Sequence, residues 1–427
     1  MTVCVHGLGY VGLPTAAMIA LGGHDVVGYD VDARVLAELR EGAHGVKEGP
    51  VRAIVQEALR CGRLTLRDVP AVDADAYVIC VPTPTVDRKP DLSFLQGALR
   101  EIGPLLSAGD VVAVESTVPP GTIDRVVAPT LRAAGVDLDA VAIAYCPERV
   151  SVGAIVRELR ECERLIGGRK PGDAEAVRPL YASFCTGAIH LTDAITAEVA
   201  KVAENTFRDV NIAFANELAL LSEELGTDVH EVIALANRHP RVDILAPGPG
   251  VGGHCIPVDP HFLANANPFI TELIATSRRV NERMPEIVVR HVAELLGPSV
   301  GARVALLGAS FKANVDDTRE SPTEHVDELL RGEGYETRVF DPIAERYARP
   351  LCSSLEEAVR GCDAIVLMVD HDVFARLDPA AIGPLCRTRN VIDTRGALRG
   401  RAWCEAGFTV ATLGGPRRFP FRLAASA

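Results

Sequence analysis

The sequence has no run of about 18 continuous apolar residues, so no membrane-spanning helix is expected. It has no excess of basic side chains either: 44 Lys and Arg stand against 57 Asp and Glu, a net charge of −13. A chain that grips nucleic acid or an anionic membrane normally leans the other way, so neither is expected as a partner. Any anionic ligand must then be held by a local cluster of Arg, Lys and backbone N–H groups. Paired-cysteine spacing is missing as well. The 11 cysteines are odd in number, scattered and nowhere arranged as Cys-x-x-Cys. That pattern suits reduced thiols in a cytoplasm better than a disulfide framework. The uncharged stretch Gly7–Gly23 imitates a signal peptide's core, but it lacks a basic leader and is broken by Gly7, Gly9, Gly12 and Pro14. It is expected to belong to the fold.

With 427 residues, 48% apolar and 24% charged, the chain suits two or three globular domains rather than a disordered one. Short apolar runs alternate with longer amphipathic stretches, the pattern of an α/β architecture with parallel sheet. Thr2–His6, Asp25–Tyr29, Ala76–Val81, Val111–Glu115 and Val141–Ala144 look like buried strands. From about Ala194 to Leu225 the pattern becomes one uninterrupted helix, with Leu218, Leu221 and Leu225 on one face and Gly226 as the stop. A second α/β series follows at Val304–Leu307, Thr337–Phe340, Ala364–Val369 and Asn390–Ile392. The two series share a layout: strand, glycine turn, helix and a strand ending in an acidic residue, as VCVHGLGYVG…VGYD and again as VALLGASFK…RVFDP. The expected fold is two Rossmann-like doubly wound domains joined by a helical middle segment, with boundaries at 1–190, 191–295 and 296–427.

Gly7-Leu8-Gly9-Tyr10-Val11-Gly12 is a G-x-G-x-x-G directly after the first strand. Gly7 permits the tight turn, Gly9 lets backbone approach a pyrophosphate and Gly12 allows close helix–strand packing. The helix start adds unpaired N–H groups and the positive end of its dipole. Asp30 closes the second strand, where its carboxylate accepts from an adenosine ribose and repels a 2′-phosphate. NAD is therefore expected over NADP.

The most unusual segment is His239–Pro260, HPRVDILAPGPGVGGHCIPVDP. Prolines at 240, 247, 249, 257 and 260 and glycines at 248, 250, 252 and 253 exclude a regular helix or strand. It reads as a stiff, shaped loop whose glycines let backbone close on a ligand. Cys255, beside N–H-rich backbone and four residues before Asp259, is placed to act as a thiolate nucleophile. His254, Cys255, Asp259 and His261 are all zinc-ligand types, but their spacing is that of neither a zinc finger nor an HExxH helix, so no metal is expected. Lys201 and Asn205, at i and i+4 on the middle helix, share a face from which an ammonium and an amide would polarise a substrate oxygen.

GLGYVGLP, VPTP (Val81–Pro84), ESTVPPGT (Glu115–Thr122), YCPER (Tyr145–Arg149), KVAENTFRDVNIAFANE (Lys201–Glu217), PGPGVGGHCIPVDP and SFKANVDDTRESP (Ser310–Pro322) occur in this order. The series resembles the UDP-glucose/GDP-mannose dehydrogenase family from end to end. That resemblance implies oxidation of a nucleotide sugar's C6 alcohol to a carboxylate with two NAD per turnover. Asn237–Leu245 ahead of PGPGVGGHC is most similar to the branch acting on UDP-N-acetyl-D-mannosamine, whereas CIPVDP is as similar to the branch acting on UDP-N-acetylglucosamine. A UDP-N-acetylhexosamine is the expected substrate, manno before gluco, with UDP-glucose as the remaining alternative.

The resemblance also distributes roles. Cys255 forms the thiohemiacetal and thioester; Lys201 and Asn205 stabilise the oxyanion; Glu148 and Thr117 hold or activate water; Asp259 tunes the thiol or assists the water. Pro82, Thr83 and Thr117 join the glycine turn at the cofactor, with Arg319 reaching it across the interdomain cleft. Arg149, Val150 and Arg241 meet the substrate, as do Gly250, Gly252 and Gly253, and from the second Rossmann-like domain Phe311, Lys312 and Arg395. The long helix is expected to pair with its copy in a homodimer. A catalytically silent NAD-binding regulator, the alternative from another class, would be expected to lose some of Cys255, Lys201, Asn205 and Glu148, and all four are present.

Overall fold

A computed structural model describes residues 1–41, 48–151, 153–297 and 301–416. The chain divides into two compact units, Met1–Glu204 with His261–Pro268, and Asn205–Pro260 with Phe269–Ala427.

In the first unit the strands are β1 (Thr2–His6), β2 (Asp25–Tyr29), β3 (Leu64–Arg67), β4 (Ala76–Ile79), a small hairpin of β5 (Thr85–Val86) and β6 (Lys89–Pro90), then β7 (Val111–Val114), β8 (Ala142–Tyr145), β9 (Arg164–Gly168) and β10 (Ile189–Asp193). Eight of them form one sheet in the order β10-β9-β8-β7-β4-β1-β2-β3. Its pairings are parallel except β8 with β9, a reversal that the apolar runs do not signal. All residues of β4 and β7 are buried, as expected for strands covered on both faces. The period of two sends Val3, Val5, Ala76 and Val78 into one core layer and Cys4, Tyr77 and Ile79 into the other. The chain builds β1, β2 and β3 to one side and places β4 on the other side of β1. A crevice therefore opens at the carboxyl ends of β1 and β4, where doubly wound sheets bind ligands.

The long helix spans Ala194–Leu225, 32 residues, at the bounds the sequence suggests. Asp193 opens it by accepting the Thr196 N–H at 2.9 Å. Gly226, at φ +72°, ends it, and the Thr227 N–H closes back on the Ser222 carbonyl at 3.0 Å. The division between the units falls within this helix, after Glu204.

The second unit holds β11 (Arg303–Leu307), β12 (Glu336–Phe340), β13 (Ala364–Leu367), β14 (Asn390–Asp393) and β15 (Thr409–Thr412), all parallel, in the order β12-β11-β13-β14-β15. Alternation again splits one strand between layers: Val304 and Leu306 face one, Ala305 and Leu307 the other. Here too the order switches beside the first strand, between β11 and β13.

Candidate active site

The glycine turn leaves β1 at Gly7, whose φ of +90° suits glycine. A Cβ there would lie 2.6 Å from the Cys80 carbonyl oxygen, and one on Gly12 would collide with the Gly7 carbonyl. Gly9 differs. A Cβ on Gly9 would meet nothing within 4 Å, so packing within the chain does not demand glycine there. Bare, exposed backbone at that position fits a pyrophosphate approaching the start of the Gly12–Leu21 helix.

Asp30 follows β2 and stands half-buried beside the turn. Its Oδ2 accepts the Leu8 N–H at 2.8 Å and its Oδ1 the Asp32 N–H at 2.9 Å. A carboxylate has about four acceptor positions, so two remain for ribose hydroxyls. Tyr10 turns its hydroxyl onto Glu48 at 2.8 Å. Pro82 and Thr83 leave β4 next to Thr117 beyond β7, where Thr83 Oγ1 donates to the Thr117 carbonyl at 2.6 Å. These residues fit a bound dinucleotide.

Beyond β8, Glu148 and Lys201 meet in a buried pair. Lys201 Nζ donates to Glu148 Oε1 at 3.0 Å and to its carbonyl at 2.5 Å, while Glu148 Oε2 accepts the Val150 N–H at 2.8 Å. Burial pushes the Glu148 carboxyl up. The Lys201 ammonium and the Val150 N–H outweigh it and hold the group below its ordinary value. Glu148 is therefore ionised at neutral pH, suited to orienting a water rather than donating a proton. Arg149 is engaged elsewhere: it pairs with Glu204 at 2.7 Å and donates to the Glu163 carbonyl at 2.9 Å.

In the second unit Asn205, one turn along the helix from Lys201, donates to Asp259 Oδ2 at 2.7 Å. Asp259 is buried and Cys255 half-buried. The Cys255 carbonyl accepts the N–H groups of Val258 at 3.0 Å and Asp259 at 2.9 Å, so a tight turn presents the thiol. The preceding glycines are packed closely. A Cβ on Gly248 would strike the Arg395 guanidinium, one on Gly252 would lie 2.5 Å from the Glu320 carbonyl, and one on Gly253 would lie 3.0 Å from the Phe311 ring. Gly250 adopts φ +137° against Pro322. Of the expected residues, Phe311 is thus brought against Gly252 and Gly253, whereas Arg395 meets Gly248 and Gly250 meets Pro322. Arg319 pairs with Asp317 at 2.6 Å, and its carbonyl holds the Gly253 N–H at 3.2 Å. Lys312 and Arg241 are exposed, and neither side chain has a hydrogen bond among the described residues. Among those residues no three His, Cys, Asp or Glu side chains converge as a metal site.

Residues 1–185 match the NAD binding domain of the UDP-glucose/GDP-mannose dehydrogenase family, 195–283 its central domain and 305–400 its UDP binding domain. The chain belongs to that family. It is accordingly an NAD-dependent nucleotide-sugar dehydrogenase, with α/β domains at either end of a long helical segment. A UDP-N-acetyl-D-mannosamine dehydrogenase of Methanocaldococcus jannaschii is 42% identical over 419 residues, 96% of each chain. An NDP-N-acetyl-D-galactosaminuronic acid dehydrogenase of Ralstonia nicotianae is 41% identical over 413 residues, 92% of this chain and 96% of the other. The solved UDP-D-ManNAc dehydrogenase of Pyrococcus horikoshii superposes with a TM-score of 0.91 at 39% identity, over 97% of this chain and 99% of that one.

Within this dehydrogenase two supporting groups escape the motifs. Glu198, three residues before Lys201, is fully buried and accepts the N–H groups of Gly121 at 2.5 Å and Ile123 at 2.8 Å, fixing the turn beyond Thr117. Burial pushes its carboxyl up to about 7. Arg164 pairs with Glu115 at 2.9 Å and lies 4.4 Å from the Tyr181 ring centroid. The i, i+3 spacing of Glu198 and Lys201 is visible in the sequence, but the turn it fixes lies some 75 residues away.

Proposed function

We propose that the chain oxidises the C6 alcohol of UDP-N-acetyl-D-mannosamine to the uronic acid, with Cys255 as covalent nucleophile. The observation that carries this reading is the half-buried Cys255 thiol on a tight turn, beyond glycines packed on Phe311 and Arg395 and beside the Asn205–Asp259 pair. The names and similarity of the mannosamine relatives support the sugar.

One sugar takes up one water and gives up two hydrides and three protons to leave the carboxylate, the C6 hydroxyl proton passing to an ordered water and the others to solvent. The Gly7–Gly12 turn and Asp30 would hold NAD, which when bound would supply the hydride acceptor for each oxidation. The Lys201 ammonium and the Asn205 amide stabilise negative charge on the C6 oxygen. Cys255 Sγ bonds to C6 of the aldehyde as a thiohemiacetal, which keeps a reactive intermediate attached. Loss of the second hydride leaves a thioester. Water, oriented by the Glu148 carboxylate with Thr117, attacks C6; the C–S bond breaks and Sγ leaves as thiolate. Asp259, fixed by Asn205, orients the groups around Cys255.

We read the chain as a nucleotide-binding segment, 1–190, a helical segment, 191–295, and a UDP-sugar-binding segment, 296–427. No helix among the described residues is long and apolar enough to cross a membrane, and cysteine usage favours a cytoplasmic setting. Phe207, Phe214 and Leu221 repeat every seven residues on the long helix and are 65%, 49% and 50% exposed, which supports pairing with a second copy. Sedimentation at twice the chain mass is expected.

The deciding experiment measures NADH release on UDP-N-acetylmannosamine, UDP-N-acetylglucosamine and UDP-glucose. Two NADH per sugar and fastest turnover of the manno isomer are expected. Fastest turnover of UDP-glucose would overturn the substrate, and one NADH per sugar the mechanism.

A further inference from the structure

The loop that carries Cys255 is tied to the long helix through asparagines. Asn211 Oδ1 accepts the Leu245 N–H at 3.0 Å, and its Nδ2 donates to the Asp243 carbonyl at 3.0 Å. Asn216 Oδ1 accepts the Gly248 N–H at 2.9 Å. Behind Asn216 lies a buried chain of polar groups. Asn216 Nδ2 donates to Asn281 Oδ1 at 2.9 Å; Asn281 Nδ2 donates to the carbonyl of Asp209 at 2.9 Å and to its Oδ1 at 2.8 Å. Arg278 Nη1 adds a 2.5 Å bond to the same Oδ1. Asp209 and Asn216 are fully buried, and Asn281 and Arg278 nearly so.

This chain has a polarity. An ionised carboxylate only accepts, whereas an amide has one donating and one accepting end. Asp209 therefore draws the NH2 of Asn281, which leaves the Asn281 oxygen facing Asn216. Asn216 must offer that oxygen its own NH2 and turn its remaining oxygen to Gly248. Reversing either amide would set like ends against each other at a buried contact, where unmade hydrogen bonds are costly.

Gly248 has no room to move unnoticed. It lies under the Arg395 guanidinium, and four and five residues on Gly252 and Gly253 are packed on the Glu320 carbonyl and the Phe311 ring. A shift at Gly248 is passed along the loop toward Cys255 rather than absorbed.

We propose that Asp209 is a positioning residue for the oxidation: through Asn281 and Asn216 it presents an acceptor to the Gly248 N–H and so fixes the loop that places Cys255. The proposal rests on the reading of Cys255 as nucleophile, and its test separates the two. Asp209→Asn keeps the shape but lets the amide chain reverse; Asn216→Ala removes the acceptor itself, and serves if the first variant folds poorly. Folding is checked by thermal melting, cofactor binding by NAD titration. Alkylation of the Cys255 peptide by iodoacetamide, followed by mass spectrometry without substrate, reports where the loop holds the thiol. In the folded variants alkylation is expected to change several-fold, and kcat for acid formation to fall by about tenfold or more, with NAD affinity unchanged. Alkylation and kcat both at wild-type values, even with a lowered melting temperature, would mark the chain as scaffolding and overturn the proposal. Because alkylation needs no sugar, a shifted rate supports the positioning role even if the nucleophile reading fails on the Cys255 variants.

Discussion

The two Rossmann-like sheets end their second strands alike, in an aspartate that accepts backbone N–H groups from the glycine turn beside it. Asp30 takes the Leu8 and Asp32 N–H groups. Asp341 takes those of Ala309 at 2.7 Å and Ser310 at 3.1 Å on one oxygen, and Ile343 and Ala344, both at 2.8 Å, on the other. There the likeness stops. His371, which accepts the Asn314 N–H on Nδ1, turns Nε2 onto Asp341 at 3.1 Å, with both side chains fully buried. Burial pushes the Asp341 carboxyl up, but His371 and the ring of N–H groups hold it well below the ordinary carboxylate range. Where the first turn has the bare Gly9, the second has Ser310, buried, with Oγ donating to the Lys312 carbonyl at 2.9 Å. The same turn is thus open in one unit and internally satisfied in the other. An acid at that strand end can accept from a dinucleotide's ribose only while some of its acceptors stay unused, whatever other nucleotide the domain binds.

That contrast is easiest to break at the glycines. Gly9→Val should leave the melting temperature almost unchanged, since open space awaits the side chain, yet weaken NAD binding by about 100-fold or more by filling the pyrophosphate approach. Gly308→Ala should do the reverse. Its φ is +100° and the new Cβ would collide with Val369, so a loss of about 3 kcal/mol of stability is expected, read by denaturant unfolding, without direct effect on NAD. Equal losses of NAD affinity in the two variants would erase the distinction.

The acids give a smaller contrast. Asp30→Asn should move the NAD over NADP preference in kcat/KM by about 1–2 kcal/mol toward NADP, the scale of a charge-assisted hydrogen bond. Asp341→Asn should leave that preference alone and cost about 2–3 kcal/mol of stability at neutral pH. The folded Asp341 carboxyl lies below its unfolded value, so its contribution is present above the unfolded value and fades as pH falls toward the folded one. The remaining contrast lies within the first unit and shows only in the pH dependence of stability. Buried His6, beside the Tyr29 ring, is pushed down to about 4 by burial. Its contribution is full above about 6.5 and is lost as pH falls toward 4. Glu198, pushed up to about 7, works oppositely: its contribution is full below about 4.5 and is lost as pH rises through 7. His6→Val should therefore flatten the acid limb of stability by about 3 kcal/mol at most, and Glu198→Gln the neutral limb; parallel pH curves for both variants would contradict the assignment.

The sequence was most legible where chemistry depends on neighbours along the chain. The glycine turn, Asp30, the bounds of the long helix and the irregular Cys255 loop all follow from spacing and from glycine and proline. What stayed hidden depends on distant partners. Nothing near Asp341 announces His371, 30 residues away, and nothing in the Lys201–Glu217 motif names the partners of Asp209, Asn211 and Asn216, which lie 32 to 72 residues away. Arg149 shows a further partner that the motif does not announce: its guanidinium is engaged by Glu204 and the Glu163 carbonyl.

The nucleophile is the central claim, and the product profile of Cys255→Ala tests it most directly. The variant removes one sulfur from the second unit and leaves the glycine turn and Asp30 of the first untouched, so NAD affinity should stay near wild type. Without the thiohemiacetal the second oxidation has no covalent route, and acid formation should fall by about 1,000-fold or more. Uronic acid made by Cys255→Ala with two NADH per sugar at near wild-type rate would contradict the account.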